Sequence, residues 1–465
     1  MDFTEIYKQT NSLVSFSPGG HFILAAVQDR IVIRRTDSCQ IARTVLLDAT
    51  PSPTQAFLQK TTPETRISHA AWSSDSECFL AACAKKGFVR VYKLYDEEWD
   101  ARIDAGAEGL VKAEWSPDGR YILCFSEWGL RVTIWSLVSG KATYIQFPVH
   151  PDRGYAFRAD GRYFLLAERH KSKDTLGIYD AHHEYQLVRQ FPLPTASLAS
   201  LSLSPTGANL AIWEGILEYK LHVLTPTGTH LKTFTPEPEP GLGIRTVCWH
   251  PTGSFLLVGG WDDRIHVLDS LSWSCILTLE LSSRIPSGVN VWREPANWLE
   301  RTEGRGFLSY ERLQSPYTLL LNRVDHTKPH PKCGIVQIEF NSIGSLLMVR
   351  YETSSSAVHI YDFPSPSTSF NPRLRSILLH DRPVRNVRWN PARKGSLAIC
   401  CGAAAIYTWS DEWVGEGGVE EEVAECVGVP ADKFETYDIK WASDGKGLIL
   451  LDKDAFCCAF EVEDE

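Results

Sequence analysis

A short turn motif recurs along this 465-residue chain, each time between an aromatic residue or leucine and an apolar run. Its fullest form is Trp115-Ser116-Pro117-Asp118-Gly119. Proline presets φ at the second position of such a turn, and glycine supplies the positive φ near its end. The motif begins at Phe16, Trp72, Trp115, Phe157, Leu203, Trp249, Phe340, Trp389 and Trp441. Most of these positions lie 42–56 residues apart, close to the roughly 40–45 residues of a four-stranded propeller blade.

The residues after each turn form strand-like patterns. A short apolar run comes first, as at 121–124 and 255–258, and is typical of a strand buried on both faces. A run that alternates apolar and polar residues follows, as at 131–136. These runs end where a WD repeat carries its Trp-Asp pair, which is degenerate here: Trp135-Ser136, Tyr179-Asp180, Tyr361-Asp362 and Trp409-Ser410. The sequence therefore predicts an all-β fold, a WD40-type β-propeller with about nine divergent four-stranded blades.

The two ends of the chain complement each other. The last repeat supplies three strand-like runs, at 437–441, 447–451 and 456–461, and no fourth. Residues 3–7 alternate and precede the first blade. We predict that they form the outer strand of the blade containing Trp441 and so close the ring, because closure removes an exposed sheet edge. The prediction is one propeller over 1–465, either a single closed ring or a 7+2 split.

Three segments interrupt the repeat. Residues 49–66 are rich in Thr and Pro and are predicted to be a loop insertion. Residues 282–333 are either an insertion or a decayed blade, because they occupy a gap of about two repeats. Residues 414–425 are acidic and predicted to be a solvated loop. In the first segment Thr50, Ser52 and Thr62 precede proline, so each is a candidate site for a proline-directed kinase, with an unmodified spacer as the alternative.

Composition excludes several classes of partner. The formal net charge is -10 and the pI is about 5.8, so nucleic acid is not expected to be the main partner.

The N-terminus lacks the basic and apolar regions of a signal peptide, and no apolar run approaches the roughly 18 residues of a membrane span. The twelve cysteines form no C-x-x-C pair. They are predicted to be small buried hydrophobes of a protein in the cytosol or nucleus.

Familiar motifs of catalysis are missing from the sequence. It contains no P-loop, no H-E-x-x-H and no G-x-S-x-G. His326, His330 and Cys333 have ligand-like spacing, but a zinc site needs about four ligands, so a polar loop is the preferred interpretation. We therefore predict a protein that is not an enzyme and has no cofactor or metal.

Candidate partner-binding residues follow the second strands of four repeats. Each should emerge at one rim, in the loop between second and third strands, and Trp and Arg are frequent interface hot spots. The set is Glu127, Trp128, Glu168, Arg169, Trp213, Glu214, Trp261 and Asp262, with Asp263 beside it. The acidic members would favour a partner segment with Lys or Arg. The alternative is that these side chains satisfy turn backbone and pack between blades.

Several stretches resemble one family closely: 108–120, 130–137, 166–169, Trp213-Glu214 with 217–220, and 243–249. The block Leu217-Glu218-Tyr219-Lys220 with its preceding tryptophan is the most specific. The chain resembles, over nearly its whole length, WD repeat-containing protein 8, and looks like a fungal member. The resemblance implies a non-enzymatic scaffold in the cytoplasm and cytoskeleton, at the spindle pole body or centrosome.

The same resemblance implies two partners. One is a coiled-coil microtubule-anchoring protein, and the other, in fungi, is a kinesin-14 motor; together they tether microtubule minus ends during spindle assembly. The rival hypothesis is a translation-initiation-factor-like propeller that binds ribosomes. The acidic C-terminal residues 461–465 argue against it, because a ribosome binder usually carries a basic or helical tail.

Overall fold

The computed structural model describes residues 1–47, 66–325, 327–328, 331–364, 370–414, 420–431 and 433–461. Within these ranges nine four-stranded antiparallel blades are present, which confirms the prediction of an all-β, nine-bladed propeller. The chain divides into two compact units. The first contains Met1–Pro194 and Lys440–Glu465, and the second contains Thr195–Ile439.

The first unit contains four blades made of consecutive strands. Blade 1 has β3 (Val14–Phe16), β4 (Phe22–Val27), β5 (Arg30–Arg35) and β6 (Ile41–Leu46). Blade 2 has β7 (His69–Trp72), β8 (Cys78–Cys83), β9 (Phe88–Lys93) and β10 (Asp100–Asp104). Blade 3 has β11 (Lys112–Trp115), β12 (Tyr121–Phe125), β13 (Arg131–Ser136) and β14 (Ala142–Gln146). Blade 4 has β15 (Tyr155–Phe157), β16 (Tyr163–His170), β17 (Lys173–Asp180) and β18 (Gln186–Pro192).

Blade 9 joins the two ends of the chain. It has β40 (Asp438–Trp441), β41 (Gly447–Leu451) and β42 (Ala455–Phe460), and the outer position beside β42 is taken by β1 (Asp2–Phe3) and β2 (Tyr7–Lys8). The predicted N-terminal outer strand is therefore confirmed, although it is divided in two. Between its parts the Thr4 N–H donates to the Cys458 carbonyl at 2.9 Å, and the Thr4 hydroxyl accepts from the Cys458 N–H at 3.0 Å.

The second unit contains blades 5 to 8. Blade 5 has β19 (Leu198–Leu203), β20 (Leu210–Glu214), β21 (Leu221–Leu224) and β22 (His230–Phe234). Blade 6 has β23 (Ile244–Trp249), β24 (Phe255–Gly260), β25 (Arg264–Asp269) and β26 (Cys275–Glu280). Blade 7 has β32 (Ile335–Phe340), β33 (Leu346–Tyr351), β34 (Ala357–Asp362) and β35 (Arg373–Leu379). Blade 8 has β36 (Asn386–Trp389), β37 (Ser396–Cys400), β38 (Ala405–Val414) and β39 (Glu420–Gly428).

Helices are few and short in the described ranges. They are the single-turn helix α1 (Trp298–Arg301) and the 3-10 turns Ala84–Lys86, Gly106–Glu108, Glu127–Gly129 and Ala181–His183. None of them has the length and hydropathy that a membrane-crossing helix requires.

The recurring turn motif has two structural roles. The Ser116 hydroxyl accepts from the Tyr121 N–H at 2.9 Å, so the side chain fixes the turn between first and second strands. The indole N–H of Trp115 donates to the Ala71 carbonyl of the preceding blade at 3.1 Å. Trp389 donates in the same way to the Glu339 carbonyl at 3.0 Å. The motif therefore shapes its own blade and ties that blade to the one before it.

Segment 282–333 adds strands to existing blades. Its β28 (Asn290–Arg293) pairs parallel with β35 of blade 7, and its β30 (Glu311–Leu313) pairs antiparallel with β28. Its β29 (Phe307–Ser309) pairs antiparallel with β39 of blade 8. The remaining strands, β27 (Arg284–Ile285) and β31 (Tyr317–Thr318), pair with each other. The segment is therefore an insertion that extends the outer edges of two blades.

Residues 307–313, here called the strap, pair first with β39 of blade 8 and then with β28, the strand that extends blade 7. Tyr310 separates β29 from β30, and its N–H donates to the Ala424 carbonyl of blade 8 at 2.9 Å. Its side chain is buried, and its hydroxyl lies 3.1 Å from Nδ1 of His380. Seven consecutive residues thus join the outer strand of blade 8 to the strand that extends blade 7.

A buried carboxylate anchors the residues before the strap. Glu294 is 5% exposed. Its Oε1 accepts from the Trp298 indole at 2.8 Å and from the Tyr407 hydroxyl at 2.6 Å, and its Oε2 accepts from the Asp381 N–H at 2.9 Å. Because Trp298 and Tyr407 are buried and Asp381 lies between blades 7 and 8, this carboxylate is a hub between the insertion and these two blades.

The predicted acidic loop at 414–425 is wrong for its second half. Residues 420–425 belong to β39, and Glu422 accepts from the Ser376 hydroxyl at 2.7 Å and from Asn290 Nδ2 at 2.9 Å. Burial alone would raise the pKa of Glu422, but hydrogen bonds from Ser376, Arg375 and Asn290 lower it. Strand pairing turns this acidic side chain towards the insertion and the Arg375 guanidinium, which charge patterning alone does not reveal. Residues 415–419 lie outside the described ranges.

The predicted Thr/Pro loop cannot be compared in the same way. Nearly all of 49–66, including Thr50, Ser52 and Thr62, lies outside the described residues. Its kinase sites stay a prediction.

A buried histidine in blade 7 predicts that the folded protein loses stability at mildly acidic pH. His359 of β34 is 1% exposed, and neither ring nitrogen has a hydrogen-bond partner in the described structure. Burial lowers its pKa to about 4, whereas an unfolded histidine titrates near 6.5. Between these values the unfolded state binds more protons, so His359 reduces stability as the pH falls, by about 2 kcal/mol at pH 5 relative to neutral pH.

Chemical denaturation at pH 7 and pH 5 checks this prediction. The His359→Leu variant should lose less stability between the two pH values than the wild type. The exposed His21 provides the control, because His21→Leu should keep the wild-type pH dependence. Equal losses in wild type and His359→Leu would show that His359 does not contribute.

Candidate functional site

Two of the four predicted positions are in loops between second and third strands. Glu127 and Trp128 are in the turn between β12 and β13, and both are exposed. Trp261 and Asp262 are in the turn between β24 and β25 and are half-buried. Arg245 stacks its guanidinium over the Trp261 ring at 4.6 Å, and Asp263 accepts from the Gly334 N–H at 2.8 Å. The second turn is therefore packed within its own unit.

The other two positions are in strands, so their predicted loop placement is wrong. Glu168 and Arg169 are in β16, which runs on to His170, and Trp213 and Glu214 end β20. Both acidic side chains are buried: Glu168 accepts from the Tyr179 hydroxyl and from Gln190 Nε2, and Glu214 accepts from the N–H groups of Ala196 and Ser197.

Neither buried carboxylate is available to a partner at the rim. An apolar run followed by an acidic residue resembles a strand end, but hydrogen-bond donors across the sheet and in the neighbouring connection draw these carboxylates inwards. Trp213 is half-buried and packs against the core of blades 5 and 6. Of the residues at these two positions, Arg169 is the exception to burial, since its side chain is 44% exposed.

Trp128 and Arg169 share a cavity of about 390 Å³ in the first unit. It lies where blade 3 meets the connection from blade 3 to blade 4. Its apolar lining includes Val111, Phe125, Trp128, Phe147, Pro148 and Val149. Phe125 forms a buried floor, whereas Phe147 and Val111 are exposed at the rim. Among the described residues, Arg169 is the one charged side chain in the lining.

Main-chain hydrogen bonds hold this cavity in shape. The Phe147 N–H donates to the Leu130 carbonyl at 2.9 Å, and the Arg169 N–H donates to the Phe147 carbonyl at 2.9 Å. The Ser126 hydroxyl accepts from the Arg131 N–H at 2.8 Å and closes the turn that carries Trp128. The rim is therefore built by the fold before any partner binds, which lowers the entropic cost of binding.

Two features of Trp128 are unfavourable for the stability of the folded chain. Its side chain is 91% exposed, so it gains almost nothing from burial. Its φ of 58° lies in the left-handed region, which is costly for a bulky residue. Backbone strain of this kind concentrates at ligand-binding sites. Folding alone therefore does not account for a tryptophan at this position.

Replacement of Trp128 by glycine should therefore leave the protein as stable as before, or more stable by up to about 1 kcal/mol. Glycine adopts a positive φ without strain, and little buried surface is lost. Thermal unfolding checks the expectation, with Trp115→Ala as a matched control from the same blade. The control removes the hydrogen bond to Ala71 and should lower the melting temperature. A clear loss of stability in Trp128→Gly would show that Trp128 supports the fold.

Phe147 and Val111 were missed by sequence reasoning. Both lie in connections between blades rather than between second and third strands. The signal for Phe147 was its position directly after β14 and before Pro148. An aromatic residue at this position follows a polar outer strand and lies at the same rim as the turn after β12.

A larger cavity of about 1180 Å³ lies beside the N-terminal strands. Its lining mixes both charges, with Asp2, Glu5, Arg34 and Arg35 among its residues. Such a lining selects no single class of ligand. The described ranges also hold no group of three or more His, Cys, Asp or Glu residues suited to a metal ion. Cys333 is buried there, while His326 and His330 lie outside the described residues.

Comparison with known proteins places the chain in a family. The family described as "WD domain, G-beta repeat" matches residues 228–269, which run from the outer strand of blade 5 through the third strand of blade 6. WD repeat-containing protein WRAP73 of Mus musculus is 32% identical, covering 99% of this chain and 96% of that protein. This chain belongs to the WRAP73 family of WD-repeat proteins.

WRAP73 is the same family as WD repeat-containing protein 8, so the family resemblance is confirmed, while fungal membership stays a prediction. An uncharacterized WD repeat-containing protein of Schizosaccharomyces pombe is 21% identical to this chain, over 100% of this chain and 94% of that protein. The C-terminal WD40 domain of Sif2 resembles the fold, with a TM-score of 0.50 at 11% identity over 99% of both chains.

Proposed function

We propose that this protein is a non-enzymatic scaffold of the spindle pole or centrosome. It binds a coiled-coil microtubule-anchoring protein and, with a kinesin-14 motor, tethers microtubule minus ends during spindle assembly. Membership of the WRAP73 family supports the assignment to this class. The observation that carries the scaffold function is the Trp128 cavity: a preformed, largely apolar site with an exposed, strained tryptophan at its rim.

The chemistry of the cavity fits protein recognition better than catalysis. Within the described part of its lining, the one ionisable group is Arg169, and its Nε donates to the buried Asp174 carboxylate at 2.7 Å. General acid–base catalysis needs a group that exchanges protons near neutral pH, and an arginine does not. An exposed Trp beside an Arg is instead the composition of a binding hot spot.

A pull-down from mitotic extract tests the proposal. Wild-type protein with a C-terminal tag should capture a coiled-coil spindle-pole protein and a kinesin-14, identified by mass spectrometry. Trp128→Gly should reduce their recovery by about tenfold or more, because loss of a hot-spot residue typically costs 2 kcal/mol or more. Trp413→Ala is the matched control, since Trp413 is also exposed, at 62%, but belongs to blade 8.

Two outcomes would contradict the proposal. Capture of ribosomal subunits in place of spindle-pole proteins would favour the initiation-factor-like alternative. Equal recovery of the coiled-coil protein by wild type and Trp128→Gly would place the interface elsewhere, with the exposed residues of the insertion as the next surface to test.

A further inference from the structure

We propose that the Trp128 cavity binds a short partner segment in which one large apolar side chain stands beside an acidic residue. The inference rests on the proposed function, because it takes this cavity to be the partner-binding site. The bound segment is acidic, whereas the sequence predicted a basic partner segment. It is also a short segment and not the face of a coiled coil.

The size of the cavity limits its occupant. A volume of about 390 Å³ lies near the lower end of the roughly 300–1,000 Å³ of ligand pockets. Trp128, Phe147 and Pro148 are among the residues that line it. The site therefore accepts one anchoring side chain, such as Leu, Met or Phe. It does not offer the long groove that a face of a coiled coil would need.

The acidic residues expected to attract a basic partner do not face the cavity. Glu168 is buried and receives hydrogen bonds from Tyr179 and Gln190. The side chain of Glu127 lies against Gly109, so closely that a Cβ built on that glycine would be 2.8 Å from its Cδ. Glu127 thus faces the connection that enters blade 3, and no carboxylate remains among the described lining residues.

Arg169 supplies hydrogen-bond donors to the same cavity. Its Nε is bound to Asp174, but its two terminal amino groups have no hydrogen-bond partner in the described part of the chain. A guanidinium presents its donors in a fixed plane and binds carboxylates through two of them at once. The same molecule shows that one arginine can serve several carboxylates, since Arg375 contacts Asp362, Asp411 and Glu422.

These features fix both parts of the bound segment. The apolar anchor enters between Trp128 and Phe147, and the adjacent carboxylate accepts from the terminal amino groups of Arg169. A basic residue at that position would meet the same guanidinium with its charge unopposed in the cavity.

Selection from a phage library of random twelve-residue peptides, on immobilised full-length protein, tests the inference. Enriched peptides should carry a Leu, Met or Phe within three residues of Asp or Glu. The best peptide is then synthesised with a fluorescent label, together with a version in which the acidic residue is replaced by its amide. The acidic peptide should bind wild-type protein about tenfold more tightly than the amide.

A double-mutant cycle assigns that preference to Arg169. Arg169→Lys keeps a cation beside the buried Asp174 but removes the planar pair of donors. It should weaken the acidic peptide about tenfold and leave the amide peptide unchanged. Trp128→Gly should weaken both peptides equally. If Arg169→Lys does not fold, the comparison of the two peptides on wild-type protein still decides the question.

The inference is overturned by an absence of enriched peptides, by enriched peptides without acidic residues, or by equal affinity of acidic and amide peptides. Concentration-dependent self-association that Trp128→Gly abolishes, with no peptide enriched, would identify a second copy of this chain as the occupant and overturn the inference. The pull-down is a separate test. If it captures ribosomal subunits while the peptide preference holds, the proposed function fails and the chemistry of the cavity stands.

Discussion

Removal of residues 1–8 should lower the melting temperature by about 6–12 °C and promote aggregation. The deletion removes β1 and β2, and with them the backbone pairs Asp2↔Phe460, Phe3↔Ala459, Tyr7↔Phe456 and Lys8↔Ala455. It also removes the Tyr7 ring, which packs on Phe456 at 5.5 Å and beneath the Arg34 guanidinium at 3.9 Å. The combined cost is about 3 kcal/mol, and a unit of about 200 residues loses roughly 2–4 °C per kcal/mol.

Thermal unfolding followed by tryptophan fluorescence measures the effect, with light scattering for aggregation. An uncovered β42 would present a free sheet edge of the kind that pairs with other chains. Two point variants provide the comparison: Tyr7→Ala should reproduce part of the loss, and Ile6→Ala should not, because Ile6 lies between the strands and is exposed. An unchanged melting temperature in the deletion would show that the N-terminal strands are dispensable.

Substitution of Glu294 by alanine should destabilise the second unit by about 3 kcal/mol or more. The Trp298 indole, the Tyr407 hydroxyl and the Asp381 N–H would lose their acceptor. A buried donor left without a partner costs about 1–3 kcal/mol, and the three act on one cluster. The strap should then detach from blade 8, since Tyr310 packs against Tyr407 at 6.3 Å.

Urea unfolding and limited proteolysis of the insertion together check this expectation. Glu311→Ala is the matched control, because Glu311 lies on the strap itself but pairs with Arg293 at the surface. It should change neither the unfolding midpoint nor the protease sensitivity of the segment. Similar behaviour of the two variants would mean that the buried hub does not hold the insertion in place.

The blades could be predicted from sequence because their signals are local. A turn such as Ser116–Gly119 requires particular residues at successive positions, and the strand after it must be apolar to be buried. The closure by the N-terminus was also predictable, since a last repeat of three strands needs a fourth. The pairing of β28 with β35 was not, because short strands that pair parallel over a large sequence separation leave no periodic pattern.

Only part of the candidate site could be predicted from the sequence, for a similar reason. Trp128 was predicted because it directly follows an apolar strand. Glu168 and Glu214 satisfy the same pattern, yet both are buried by hydrogen-bond donors from elsewhere in the chain. Phe147 completes the cavity from a connection between blades, and its proximity to Trp128 depends on the three-dimensional packing of blades 3 and 4.

The N-terminal strands can pair with β42 only when synthesis of the chain is almost finished. Phe3 and Ala459 are 456 positions apart in the chain, so at about 5–20 residues per second the nascent N-terminal strands wait roughly 20–90 s for their partner. Blades 5 to 8 are complete by then, whereas the last blade of the first unit is not. Chaperones should therefore be needed at the N-terminus longer than elsewhere, and a stop codon before β42 would leave the start of the chain unpaired.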